Sequence, residues 1–233
     1  YEITTRLVGS EMCIRDRLPN AVRDIYEKYF WCARETEEDK AKTRQYRDEA
    51  NRKKELESAA SLDDYIRSLN IKVVVNKVQQ DQYERTVQLL NKTNQFNTNT
   101  VRMDMAQFLK YVEDESKGVY VANVSDKYGD SGLVAIMLTH QENETLCVQN
   151  FLMSCRVMGR QIEDSIAFAV EKQAEACGIK RITSSYKVSA KNKPVEKLWD
   201  RLGFTLVSEE DEKRYELLLP NENEPLIGAE WKT

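Results

Sequence analysis

The segment of residues 151–170, FLMSCRVMGRQIEDSIAFAV, constrains the fold more than any other part of the chain. Its first residues are apolar and predict the end of a buried strand. Apolar side chains then recur at helical spacing and predict a helix from Gly159 to Ala176. The first amides of a helix have no partner within it and lie at the positive end of its dipole. An anion fits such an end, so we predict a phosphate site formed by Arg156, Gly159 and Arg160. The alternative is a helix start whose arginines are merely solvated.

Cys155 comes directly before this turn and is the sharpest candidate for covalent chemistry. Positive charge from helix amides and from neighbouring arginines favours the thiolate, which is the reactive form of a cysteine. A thiolate here could accept an acyl group as a thioester and pass it on. The alternative is a small buried hydrophobic residue, which is how most free cysteines behave. The residues alone leave both interpretations open.

A second informative segment, NKPVEKLWDRLGF at residues 192–204, follows a predicted strand over Arg181–Val188. Together the two segments resemble the GNAT acyltransferase superfamily, in which a Q/R-x-x-G-x-G/A turn binds the pyrophosphate of coenzyme A. The second motif of that superfamily, N-x-x-A-x-x-h-Y-x-x-x-G-F, is matched here by Asn192, Leu198, Gly203 and Phe204. The usual GNAT binding slot would open where the strand ending at Ser154 splays from Arg181–Val188. The resemblance implies coenzyme A or a phosphopantetheine thioester as cofactor, bound by Arg156, Gly159, Arg160 and Asn192.

Three further segments narrow the resemblance to the C-terminal part of FkbH-like proteins: KTNQFN at 92–97, DKYGDSGLV at 126–134 and SCRVMGR at 154–160. FkbH-like proteins join a HAD superfamily (subclass IIIC) phosphatase domain to a GNAT-like domain, and members load a glyceryl unit onto an acyl carrier protein. The resemblance implies an acyl or glyceryl transferase domain that works through Cys155, with the thiol of an acyl carrier protein or of pantetheine as acceptor. It also implies an upstream phosphatase domain, whose Asp-x-Asp motif is absent here, so we expect this sequence to be a fragment.

Three side-chain amides, those of Asn94, Gln95 and Asn97, could bind a hydroxylated substrate, because each offers donors and acceptors. Loop capping is an equally good explanation of them.

Two residues depart from the GNAT pattern. Gln161 stands where a small residue is usual, and Trp199 stands in place of a tyrosine that can protonate a leaving thiolate. An indole N–H cannot serve as that acid. Both residues favour a second hypothesis, a non-catalytic GNAT-like module that docks an acyl carrier protein. A third hypothesis is a coenzyme A-dependent N-acetyltransferase, and Gln161 and Trp199 both argue against it.

The order of predicted elements divides the chain into four regions. Residues 1–17 resemble a translated sequencing adapter, and residues 18–70 are predicted to be the helical tail of the phosphatase domain plus a connector. Residues 71–219 predict an α/β (α+β) domain of the GNAT-like type, with a mixed central sheet flanked by helices. Residues 220–233 are polar and predict a flexible tail.

Composition excludes several classes of function. The net charge of −4 argues against a nucleic-acid partner, because no basic excess is available to neutralise phosphates. No apolar run reaches the length that spans a membrane. The five cysteines form no CxxC pair and no metal-ligand spacing, so we expect reduced thiols, no metal and a cytoplasmic protein.

Overall fold

The structure is a computed structural model, and it describes residues 37–232, with side chains from residue 47 onward. The predicted adapter-derived segment 1–17 and the predicted helical residues 18–36 lie outside the described residues. The chain divides into two units at Glu49/Ala50, and helix α1 (Glu37–Ser58) contains this boundary. The first unit is described only by the residues of α1 up to Glu49, which agree with the helix predicted there.

A mixed sheet of nine strands forms the centre of the second unit among the described residues. The strands are β1 (Lys72–Lys77), β2 (Phe96–Asn97), β3 (Lys117–Asp126), β4 (Gly129–Glu142), β5 (Thr145–Met153), β6 (Arg181–Tyr186), β7 (Thr205–Glu209), β8 (Lys213–Leu218) and β9 (Ala229–Lys232). Their order is β7-β8-β6-β5-β4-β3-β1-β9, with β2 paired to β5. The pairs β5–β6 and β1–β9 are parallel, and the other pairs are antiparallel.

Helices cover both faces of this sheet. They are α2 (Leu62–Ser68), α3 (Tyr83–Lys92), α4 (Met105–Glu113), α5 (Ile162–Ala176) and α6 (Leu198–Arg201). Alternate residues of a strand face opposite sides, so Ile136 packs with α3 and α4 while Met137 packs with α5 and α6. The predicted mixed sheet flanked by helices is therefore confirmed.

Residues 50–69, which include the end of α1 and the whole of α2, pack against the turn between β3 and β4. Tyr65, on α2, is buried and packs near Tyr128 of that turn. The Glu55 carboxylate, on α1, accepts a hydrogen bond from the Tyr128 hydroxyl at 2.6 Å and pairs with Lys127 at 2.5 Å. Hydrogen bonds from Lys127, Ser68 and Tyr128 lower the pKa of Glu55 to about 2. These contacts make residues 50–69 an integral part of the second unit.

Several helix ends lie where local side-chain chemistry predicts them. Ser61 accepts a hydrogen bond from the Asp64 amide at 3.1 Å, and Asp104 accepts one from the Gln107 amide at 2.8 Å. Gly178 follows α5 with φ +81°, the left-handed conformation predicted for a residue that ends a helix.

The structure corrects the predicted start of one helix. Helix α5 begins at Ile162 rather than Gly159, because Gly159 and Gln161 have left-handed φ values of +80° and +55°. The second motif segment forms a 3-10 turn, Lys193–Val195, followed by the short α6.

The predicted flexible tail 220–233 is wrong for its last described residues. Ala229–Lys232 form β9, which pairs with β1 along the edge of the sheet. The Trp231 ring packs on the Tyr120 ring with centroids 5.4 Å apart, so an aromatic contact accompanies the strand pairing.

No helix within residues 37–232 combines the length and the apolar character needed to cross a bilayer.

Candidate functional site

The predicted opening between β5 and β6 is present, but the chain itself fills it. The two strands pair only from Thr145↔Arg181 to Val148↔Ser184. Beyond that point a third stretch of chain lies between them. The Thr98 amide donates to the Phe151 carbonyl at 3.0 Å, and the Lys187 amide donates to the Thr98 carbonyl at 3.0 Å. We call residues 96–99 the inserted segment.

Asn192, predicted to bind the cofactor, instead holds the inserted segment in place. Its side chain is fully buried, and Nδ2 donates to the carbonyls of Asn97 and Lys187 at 2.9 Å each. Its Oδ1 accepts from the Ser189 amide at 2.8 Å and from the Tyr186 hydroxyl at 3.1 Å. Both ends of this amide are therefore bonded within the protein, and its direct contact with a cofactor stays a prediction.

The three amides predicted to bind substrate do not form one group. Asn97 is fully buried, and its Oδ1 accepts from the Thr100 amide at 2.7 Å, so it caps its own loop. Asn94 accepts a hydrogen bond from Arg102 at 2.6 Å. Gln95 is exposed. The structure gives Asn97 a capping role, and the substrate-binding roles of Asn94, Gln95 and Asn97 stay predictions.

Cys155 lies on a short 3-10 turn, Cys155–Val157, seven residues before the first residue of α5. Its side chain is exposed, and so is that of Arg156. Solvent exposure leaves the sulfur within reach of a macromolecular substrate. Its role as a nucleophile stays a prediction. Cys177, at the other end of α5, is also exposed, whereas Cys147 on β5 is partly buried.

Arg160, predicted to bind phosphate, is buried and forms an ion pair. Its Nη1 lies 3.4 Å from Asp126 Oδ2, and its Nη2 donates to the Arg156 carbonyl at 2.9 Å. Arg52 donates hydrogen bonds to both oxygens of the same carboxylate, from Nε to Oδ2 at 2.7 Å and from Nη2 to Oδ1 at 2.8 Å. Burial acts to raise the pKa of Asp126, but hydrogen bonds from Arg52 and the Tyr128 amide, with the charges of both arginines, hold that pKa below its ordinary value. Arg160 therefore supports the turn from inside, and its contact with a phosphate stays a prediction.

A cleft of about 680 Å³ lies between the turn at residues 158–161 and the segment at residues 194–201. Gly159 lines it with φ +80°, and a Cβ added there would meet no atom within 4 Å. A ligand can therefore approach this backbone closely, as a phosphate requires. Lys197 lines the opposite wall and is exposed. The phosphate-binding role of Gly159 has the geometry it needs and stays a prediction.

The start of α5 already carries negative charge, which the sequence interpretation missed. Glu163 and Asp164 occupy its first turn, and Arg201 binds Glu163 at 2.7 Å and also Asp164. Burial raises the pKa of both carboxyls, and Arg201 opposes that shift. Two carboxylates at the positive end of a helix dipole compete with an incoming phosphate. The signal was available, since both acids directly follow the glycine turn in the sequence.

Trp199 is a core residue. It is 1% exposed, its ring packs against Phe151 and Phe204, and its Nε1 donates to the Ser185 carbonyl at 3.2 Å. With its one donor engaged, it supplies no acid to the cleft, as its chemistry predicts.

The cleft and the strand gap differ in how well they fit coenzyme A bound as in the GNAT superfamily, because only the phosphate-bearing half of the molecule has a suitable place. The cleft beside Gly159 suits a phosphate-bearing end. The strand gap does not suit the pantetheine arm, because the N–H and C=O of Phe151 are both bonded to Thr98. Among residues 37–232, no group of three or more His, Cys, Asp or Glu side chains is placed to hold a metal ion.

No protein-family model and no curated protein matches the sequence. Solved structures do match it. The ribosomal-protein-S18-alanine N-acetyltransferase from Escherichia coli is 11% identical, with TM-score 0.50, covering 65% of this chain and 97% of that chain. The PaiA N-acetyltransferase from Thermoplasma acidophilum, in complex with coenzyme A, is 10% identical, with TM-score 0.50, covering 63% and 99%. The GNAT domain of S. lividans PAT is 14% identical, with TM-score 0.50, covering 62% and 89%. At these identities the likeness shows the fold, and the second unit has the GNAT fold.

Proposed function

We propose that this chain is an acyl-transfer domain that moves an acyl unit, through a thioester on Cys155, to the phosphopantetheine thiol of an acyl carrier protein. The observation that carries the proposal is the exposure of Cys155 on a turn at the end of a central strand, three residues before Met158, which lines the cleft of about 680 Å³. The resemblance to FkbH-like proteins supports a glyceryl unit as the acyl group and an upstream phosphatase domain as partner.

The proposed reaction is an exchange between thiols. The Cys155 thiolate attacks the carbonyl carbon of an acyl thioester donor and forms a new C–S bond. The C–S bond of the donor breaks, and the donor thiol leaves as a thiolate that takes a proton from water. Attack by the phosphopantetheine thiol of the carrier on the Cys155 thioester then transfers the acyl group to the carrier and regenerates the free cysteine. The phosphopantetheine thus acts as substrate, presented by a partner protein.

The surface beside Cys155 carries positive charge suited to an acidic partner. Arg156 is exposed next to Cys155, and Arg85 on α3 lies close enough to feel its charge. Burial first, and then the charge of Arg156, lowers the pKa of Arg85. Two neighbouring guanidinium groups attract carboxylates on a docking protein and speed its encounter.

Mass spectrometry tests the proposal. Because each thiol exchange is reversible, we expect an acyl carrier protein loaded with a glyceryl thioester to leave an adduct on Cys155 and none on Cys177, which is also exposed and provides the matched control. Cys155→Ser should abolish transfer to an acceptor thiol, and Cys177→Ser should leave it unchanged. Full transfer by Cys155→Ala would exclude the covalent route.

The second hypothesis, a docking module without catalysis, is favoured by the burial of Trp199, which leaves the superfamily's acid position without a titratable group. Two results together would support docking over transfer. The carrier would bind Cys155→Ser with the same dissociation constant as the wild type, and the wild type would carry no adduct. A coenzyme A-dependent N-acetyltransferase is less well supported, because the strand gap is filled.

A further inference from the structure

The inserted segment enters the sheet at the point where β5 and β6 separate. Val148↔Ser184 is the last pair between these strands, and the next residues are Gln149 and Ser185. The Asn99 side chain bridges them: Nδ2 donates to the Gln149 carbonyl at 2.7 Å and to the Ser185 hydroxyl at 2.8 Å. One amide therefore closes the fork between the strands.

On the β5 side, the inserted segment occupies the backbone groups that face the gap. Phe96 pairs with Met153 and Asn97 with Leu152, while the Phe151 amide donates to Thr98 Oγ1 at 2.9 Å. Thr98 is 1% exposed, so these bonds are shielded from water. A pantetheine arm could bond to β5 only after replacing them, and a buried group left unbonded is costly.

On the β6 side, the chain that continues from the strand is bonded as well. The Lys187 amide donates to the Thr98 carbonyl at 3.0 Å and to Asn99 Oδ1 at 3.1 Å. Asn192 adds its bond to the Asn97 carbonyl. The inserted segment is thus held from both sides, as a strand within a sheet is.

We infer that the inserted segment takes the place of a pantetheine arm in the sheet, and that Asn99 is the specificity-determining residue that keeps free acyl-coenzyme A out of the gap. The consequence for substrate class rests on the proposed function: the phosphopantetheine arm reaches Cys155 from solvent, on a carrier protein that docks outside the gap. Phe96 is 3% exposed and packs edge-to-face on Phe151 at 5.4 Å, so entry of an arm would also require this ring to leave the core.

Titration calorimetry with acetyl-coenzyme A tests the inference. If a ligand binds only molecules in which the gap is open, its apparent affinity equals its intrinsic affinity multiplied by the fraction of open molecules. Asn99→Ala removes three contacts of the inserted segment and raises that fraction. We expect it to bind acetyl-coenzyme A at least about tenfold more tightly than the wild type. The matched control is Asn91→Ala, at an exposed asparagine on α3, which should bind as the wild type does. Equal affinities of the wild type and Asn99→Ala would overturn the inference.

Hydrogen exchange on the wild-type protein gives a second measurement, should Asn99→Ala fail to fold. Acetyl-coenzyme A should leave exchange at residues 96–99 and 149–153 unchanged, and altered exchange there would overturn the inference. Carrier-dependent acylation of Cys155 is measured in parallel. If Cys155 is not acylated while the acetyl-coenzyme A measurements come out as expected, the proposed function is refuted. The exclusion of the pantetheine arm from the gap would still stand.

Discussion

Asp126 is the residue whose replacement tests the internal support of the candidate site most directly. Its side chain is 1% exposed, and it contacts two arginines that are themselves buried, with side-chain exposures of 8% for Arg52 and 5% for Arg160. Asp126→Asn preserves the size of the side chain and removes its negative charge. The two guanidinium groups then lose the carboxylate that both contact.

The expected loss of stability is large on the scale of a folded domain. Removing one partner from a buried ion pair costs about 3–5 kcal/mol, because the remaining charge stays in a poorly solvated place. The total free energy of unfolding of a domain is about 5–15 kcal/mol. We therefore expect Asp126→Asn to remove a substantial part of the stability. Because Arg160 also holds the Arg156 carbonyl, the turn at residues 155–160 should exchange its amide hydrogens faster.

Urea unfolding followed by circular dichroism measures this loss. The matched control is Asp130→Asn, in the same β3–β4 hairpin, where the aspartate is exposed and only accepts a hydrogen bond from the Gly132 amide. Asparagine can accept the same bond, so we expect the control to lose less than about 0.5 kcal/mol. A loss below about 1 kcal/mol for Asp126→Asn would show that the buried pair is not the support inferred here.

Two further predictions concern pH and the C-terminal strand. The pKa of Asp126 is lowered in the folded state, so its contribution is fully present above the unfolded value of about 3.9 and is lost as pH falls through the folded value. Unfolding free energies measured below pH about 4 should therefore fall more steeply for the wild type than for Asp126→Asn, and parallel curves would contradict this. Trp231→Ala removes the contact with the Tyr120 ring and should lower the free energy of unfolding by about 1–2 kcal/mol. The amide hydrogens of β1 should exchange faster in this variant, and unchanged exchange would mean that β9 does not depend on the Trp231 ring.

The candidate site was only partly predictable. The open backbone of Gly159 follows from the turn sequence, because a glycine before a helix is a local signal. Arg160 and Asn192, which the sequence predicts to bind the ligand, bond to Asp126 and Asn97, which lie 34 and 95 positions away. A sequence pattern does not record whether a polar side chain points to solvent or to a distant partner in the interior.

The sequence by itself determined the elements whose causes lie within one turn or one strand. Alternating or helically spaced apolar residues predicted the sheet and its flanking helices, and Ser61, Asp104 and Gly178 marked helix ends through bonds to their own neighbours. Only the tertiary structure decided what fills the fork between β5 and β6. Strand β2 has two residues, too few for a periodic pattern, and it exists because diverging strands leave unpaired backbone groups that the nearest available chain must satisfy.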